Sequence, residues 1–308
     1  MELDRIHPEL QPTYKRIPNI PFDNWFFFKL LQLVQWLQPK RKQPIPKVEI
    51  VDHALAKTAV RVYRPQQCSG AGLLWIHGGG YIMGDVSIND RECNKLAKTL
   101  GLVVVSVDYR LAPKYAFPVP LDDCYSAWQF MLDNCQNWGV DPNRLAVLGQ
   151  SAGGGLAAGL VQRIADTNGV HPAAQILTYP MLDDRTANNR ELDSIKHRLW
   201  NNRSNRFGWR SYLGCDPGND TIASYAVPAR RESLTGLPPT WIGVGDLDLF
   251  YAENCRYAER LRASGIDCEL WISPQCPHGF DLLAPKSTPA REINQSIRTF
   301  LSKYLGIG

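Results

Sequence analysis

Residues 144–156 read RLAVLGQSAGGGL, and the reading of that stretch decides the fold. Residues 145–148 form an apolar run short enough for a buried strand. Residues 156–165 are rich in Ala and Leu and have helical character. Between them lies Gly149-Gln150-Ser151-Ala152-Gly153, the pattern G-x-S-x-G. In that setting a strand turns sharply into a helix and presents a serine at the helix N-terminus. Free backbone N–H groups and the helix dipole stabilise negative charge there. So tight a turn brings neighbouring chain close to the serine, and a Cβ two residues before or after it would clash. Alternating strand and helix patterns run on from Val48 to the C-terminus and predict an α/β fold, its mostly parallel sheet buried on both faces by helices.

A serine hydroxyl is a poor nucleophile near neutral pH. It needs a base, an acid that orients the base, and donors for the developing oxyanion. The strand-like run at residues 72–76 ends in His77-Gly78-Gly79-Gly80-Tyr81, whose glycine amides carry no side chain to keep a substrate oxygen away. Acid and base should follow the serine in that order. Residues 239–244 (PTWIGV) form a strand leading into Gly245-Asp246-Leu247-Asp248-Leu249. Carboxylates just past the C-terminal end of a strand lie where open α/β sheets place functional groups. Residues 268–272 (CELWI) form another strand, and the loop after it carries His278-Gly279-Phe280. His278 is the only histidine after His197, hence the only late candidate for the base. His7, His53, His171 and His197 lie outside these elements and receive no role.

Taken together, HGGG at 77–80, SVDYRLAP at 106–113, GQSAGG at 149–154, the Gly245-to-Asp248 run and HGF at 278–280 resemble the hormone-sensitive-lipase-like branch of the α/β-hydrolases, chiefly bacterial carboxylesterases. The motifs span about residues 76–280 in the expected order. The resemblance implies an α/β-hydrolase fold with a helical cap, and hydrolysis of short- to medium-chain carboxylic esters through an acyl-enzyme. It matches Ser151 to the nucleophile, Asp248 to the acid and His278 to the base. Gly79, Gly80 and Ala152 match the backbone oxyanion donors, and His77 a structural position. It implies no metal and no organic cofactor. Aligned without gaps, the family's catalytic aspartate falls on Asp248, and Asp246 on a position that is often acidic. An amidase or formamidase using the same triad is the alternative activity. A non-catalytic ligand receptor on the same scaffold is a third, disfavoured because such receptors typically lose the histidine.

The chain departs from the family pattern at several places. Gln150 replaces the common acid before the serine, Lys114 the common Glu after Tyr-Arg-Leu-Ala-Pro, Leu249 a usual proline, and Ala252 a second aspartate. None is a triad member, yet they put the charge arrangement around the site in question. Residues 108–113 read best as a loop that supports the site. Cys276, two residues before His278, makes inhibition by a thiol reagent an expectation without a catalytic thiol.

The 308 residues suit one large α/β domain with an appended element. The expected division is a first cap segment at 1–45, catalytic domain at 46–181, a second cap segment at 182–213, and catalytic domain again at 214–308. The polar second segment interrupts the strand–helix rhythm, and Trp200, Phe207 and Trp209 would supply its apolar contacts. Residues 25–37 (WFFFKLLQLVQWL) predict a helix too short to span a bilayer. Packing as part of the cap is favoured over anchoring at a membrane surface through the basic residues 40–42. A net charge of +4, with dispersed Lys and Arg, is too small to imply a nucleic-acid partner, and none is expected. The partner expected is a small-molecule ester, and the chain a monomer or homodimer. Eight scattered cysteines without metal spacing, and a start lacking a secretion signal, predict reduced thiols in the cytoplasm.

Overall fold

Residues 103–107 are Val-Val-Val-Ser-Val, and so β-branched a run pairs readily inside a sheet. The computed structural model, which describes residues 1–17 and 42–308, places it in the third position of an eight-stranded sheet. The strands are β1 (Val48–Ala54), β2 (Ala59–Pro65), β3 (Gly72–Ile76), β4 (Val103–Asp108), β5 (Leu145–Gln150), β6 (Ala174–Thr178), β7 (Thr240–Gly245) and β8 (Cys268–Ser273), in the order β1-β2-β4-β3-β5-β6-β7-β8. β1 pairs antiparallel with β2, and β2 antiparallel with β4. All later pairings are parallel. Every residue of β3, β5, β6 and β7 is buried, as expected of parallel strands covered on both faces.

Alternate residues of each strand feed separate cores. Leu74 and Ile76 of β3 join one, with Val105 of β4 and residues of α3 (Val119–Trp138), α4 (Ala152–Ala165) and α6 (Tyr251–Ala263). Leu73 and Trp75 join the other, with Val104, residues of α2 (Asp90–Leu100) and of α8 (Thr288–Leu305). The chain is therefore a three-layer α/β structure with its sheet in the middle. Ile6 and Leu10, with Tyr14 of α1 (Gln11–Arg16), pack into the second core. The helix predicted at residues 25–37 lies outside the described residues. Among the described residues no helix is long and apolar enough to cross a membrane.

The strand order reverses its direction of growth at β3. After β3 the chain moves toward β4, and after β5 toward β6, so two loops part at the C-terminal ends of neighbouring strands. Such a parting opens a crevice, and open α/β sheets bind ligands there. The HGGG run leaves β3 and the serine turn leaves β5, side by side, with Ile76 registered against Gly149.

Residues 182–213 contain no strand. They form short 3-10 turns at Asp184–Asn188 and Arg190–Asp193, then α5 (Asn202–Leu213). The segment is tied down at its start. Leu182 N–H donates to the buried Glu253 carboxyl at 2.8 Å, and Arg230 pairs with the buried Asp184 at 2.8 Å. Trp209, expected among the cap contacts, is fully buried in the core against Tyr81, ring centroids 5.3 Å apart. A large ring with no exposed edge serves packing there, and Trp200 is the tryptophan of this segment that reaches the crevice.

Candidate active site

The turn after β5 forces Ser151 to φ 55° and ψ −120°, a backbone conformation that costs a non-glycine residue energy. Three backbone bonds hold it there. Ser151 N–H donates to Thr178 O at 2.9 Å, and Ser151 O accepts from Met181 N–H at 3.0 Å and Gly155 N–H at 3.1 Å. A Cβ on Gly153 would overlap the carbonyls of Ile76 and His77, and one on Gly149 the carbonyl of Gly153. The two flanking glycines are thus required by close backbone approach, as the turn predicts.

His278 arrives on the loop between β8 and the short α7 (Phe280–Leu283). Its Nε2 is 2.9 Å from Ser151 Oγ, and its Nδ1 is 2.7 Å from Asp248 Oδ2. All three side chains are buried. Because Nδ1 faces a carboxylate, it carries the proton and leaves Nε2 to accept from the serine. Asp248 sits just past β7, where its other oxygen accepts from Phe250 N–H at 2.9 Å. Asp246 is exposed to solvent and does not face the histidine. Of the two aspartates, the structure brings Asp248 to the site. Phe250 and Tyr179 stand edge-on against the imidazole, at 5.3 and 4.7 Å between centroids.

Beside the serine lie the glycines that leave β3. A Cβ on Gly78 would stand 3.0 Å from Gln150 O and 3.3 Å from Ser151 Cβ. Gly79 and Gly80 have φ of 122° and 62°, where glycine is at ease and other residues are not. Among the described residues, the N–H groups of Gly79, Gly80 and Ala152 donate to no acceptor. Gly79 and Gly80 line the same cavity as Ser151, and Ala152 follows the serine at the helix start. His77 turns away from the crevice and stacks on Tyr109, centroids 4.2 Å apart. Tyr109 O–H donates to His77 O at 2.9 Å, and Arg110 clamps Asp123 at 2.7 and 2.9 Å. The loop at 108–113 therefore props the glycine strip from behind.

The crevice is a cavity of about 380 Å³. Its floor is the glycine strip with Ser151 and His278, and its wall includes Met83, Ile88, Leu199, Trp200 and Leu282. The Trp200 ring lies against Gly80, so closely that a Cβ there would collide with it. Among the described residues no group of His, Cys, Asp and Glu is arranged to hold a metal ion.

Several neighbours escape a reading of the sequence. Tyr14 O–H donates to the His278 carbonyl at 2.7 Å, pinning the base loop from the N-terminal segment. His197, which received no role, is buried near the triad. Burial lowers its pKa, and the Asp248 carboxylate opposes that effect. Asp281 lies behind His278 and contacts Tyr179 and Gln150. Its spacing of three from the histidine is the one signal that could have drawn notice. All eight cysteines are unpaired. Cys276 is fully buried, and burial pushes its thiol up to about 12. The expectation of inhibition through that thiol is corrected accordingly, since neither access nor thiolate is available to a reagent.

Residues 73–282 match the model of a family described as having the alpha/beta hydrolase fold. Esterase LipI of Mycobacterium tuberculosis is 32% identical over 259 residues, covering 80% of this chain and 79% of that protein. Ethyl acetate hydrolase of Pseudomonas putida is 30% identical over 226 residues, covering 72% and 70%. Among solved structures, a bacterial heroin esterase superposes with a TM-score of 0.88 at 32% identity, covering 98% of this chain and 99% of that one.

Proposed function

Because the chain belongs to the hormone-sensitive-lipase-like family of α/β-hydrolases and is a carboxylic ester hydrolase, we propose that Ser151, His278 and Asp248 are its nucleophile, base and acid. The observation that carries this reading is the unbroken line from Ser151 Oγ through His278 to Asp248, with both contacts at hydrogen-bond distance. His278 Nε2 takes the hydroxyl proton as Ser151 Oγ attacks the ester carbonyl carbon. Asp248 holds the imidazole tautomer and stabilises its cation. The tetrahedral oxyanion rests on the N–H groups of Gly79, Gly80 and Ala152, each contributing about 3 kcal/mol to the transition state. His278 then gives its proton to the leaving alkoxide, and the alcohol departs from the acyl-enzyme. In the second half it activates water, which returns the serine and releases the acid.

The cavity volume of about 380 Å³ lies at the small end of ligand sites. This supports acyl chains of roughly two to eight carbons over long-chain triglycerides. Residues 182–213 supply Leu199 and Trp200 to the wall, which supports reading that segment as part of a cap. The unpaired cysteines support a reducing, cytoplasmic setting. The relatives' activities do not favour the amidase alternative.

The test is Ser151→Ala, assayed with p-nitrophenyl butyrate and by fluorophosphonate labelling. Turnover should fall about 10⁴-fold or more, and labelling should vanish. Tm should stay close to the parent's, since alanine keeps the Cβ and the turn and loses only the hydroxyl's contact with His278. Full turnover in the folded variant would refute the assignment.

A further inference from the structure

Behind His278 the structure buries a second carboxylate for which the hydrolysis scheme has no task. Asp281, on α7, is 4% exposed. Tyr179 O–H donates to its Oδ1 at 2.7 Å, and Gln150 Nε2 to its Oδ2 at 3.4 Å. Backbone N–H groups of residues 281 and 282 also serve it. Burial pushes the Asp281 pKa up, yet every one of these partners donates, which is the environment of an anion. The donors are themselves held. Gln150 Oε1 accepts from Asn89 Nδ2 at 2.6 Å, and Tyr179 N–H donates to Gly243 O at 2.6 Å. Tyr179 also has φ 38°, so its ring direction is set by the surrounding structure. That ring meets the His278 imidazole at 66°, centroids 4.7 Å apart.

We propose that Asp281 is a positioning residue for the ester hydrolysis. Through Tyr179 it fixes the imidazole plane of His278 toward Ser151. Its negative charge favours the imidazolium that forms as the serine attacks. The inference rests on His278 being the base. It also gives Gln150 a reason, since a carboxylate at 150 beside Asp281 would set two anions in contact in a buried wall. One anion held by an amide avoids that repulsion.

Besides Asp281 on α7, the groups that face His278 come from five elements. Asp248 stands on the turn after β7, and Tyr179 on the exit of β6. Ser151 lies at the start of α4, and Tyr14 of α1 touches only the carbonyl. His197 belongs to the 182–213 segment, and burial lowers its pKa. Asp248 and Asp281 are therefore the two carboxyl groups close to the imidazole.

Asp281→Asn keeps the size and an acceptor for Tyr179 while removing the charge. With p-nitrophenyl butyrate we expect kcat to fall about tenfold with KM within about twofold, and the acid limb of kcat/KM to move to lower pH. Tyr179→Phe, which keeps the ring, should lower kcat less. Gln150→Glu combined with Asp281→Asn returns a charge to the same wall and should restore the acid limb. A folded Asp281→Asn enzyme whose acid limb stays at the parent position overturns the proposal, whether or not Tm falls. Should Asp281→Asn fail to fold, unchanged kcat in Tyr179→Phe overturns it instead. His278→Ala, measured alongside, separates the layers. Retained turnover there removes the base assignment itself, whereas its loss beside an unchanged Asp281→Asn profile removes only the positioning role.

Discussion

The floor of the cavity and its outer wall are built from opposite materials. Residues 78–80 and 149–153 make the floor almost wholly from backbone, with glycines where a Cβ would strike a carbonyl or Trp200. The wall is made of the flexible or bulky side chains Met83, Ile88, Leu199, Trp200 and Leu282. A carbonyl cannot yield to an added methyl group, but a side chain can turn to another rotamer. The floor should therefore tolerate nothing and the wall a good deal. The difference separates what the protein can do from which esters it prefers.

The sharpest way to break this contrast is Gly153→Ala, whose Cβ must displace the Ile76 and His77 carbonyls. Relieving that overlap moves the glycine strip relative to the serine. Activity toward p-nitrophenyl butyrate should fall at least about a hundredfold, the effect of losing an oxyanion donor. Overpacking should cost about 1–3 kcal/mol of stability by urea unfolding. A variant with parent activity would show that the floor is as adaptable as the wall.

Trp200→Ala probes the wall. Removing the indole from Gly80 opens the cavity, so a chain-length profile should shift its maximum toward longer acyl groups while acetate turnover falls only several-fold. The same change empties a buried site and should cost about 3–5 kcal/mol of stability. An unaltered profile would remove Trp200 from the determinants of specificity.

The smallest effect concerns how the 182–213 segment is moored. Glu253 accepts from Leu182 and Asp183 N–H, and burial lifts its carboxyl from 4.5 to about 8. Folding thus favours the protonated form. The stability it adds is whole below about pH 4.5 and is lost as pH rises toward about 8. Glu253→Gln keeps the acceptor without the titration. Between about pH 5 and pH 9 its Tm should decline less than the parent's. Parallel curves would show that this mooring does not sense pH.

Much of the site was legible because local chain geometry demands particular residues. G-x-S-x-G and HGGG announce themselves, since only glycine fits where backbones nearly touch. The fold was legible for a related reason. Strands buried on both faces need continuous apolar runs, and residues 72–76, 103–107 and 145–148 supply them. Past β7 the residues alone offer Asp246 and Asp248, and the gap-free family alignment chose Asp248, the one that meets His278. The order of residues says that a carboxylate follows β7, but the curl of the turn decides which one faces inward. Cys276 shows the reverse failure. Its residue type suits a reactive site, yet the side chain is turned into a core.

By itself, then, the sequence determined the elbow that carries Ser151, the glycine strip beside it, the order of serine, carboxylate and histidine, and the alternation of strand and helix. These depend on steric limits and periodicities within a few residues of chain. Tertiary structure alone decided that Tyr14 pins the base loop and that Asp281, Tyr179 and Gln150 meet behind His278. It alone decided that Trp200 covers Gly80. Trp200 and Gly80 lie 120 residues apart, and Tyr14 and His278 lie 264 apart, so no local rule couples them. They meet because packing both faces of one sheet leaves each side chain few places to go.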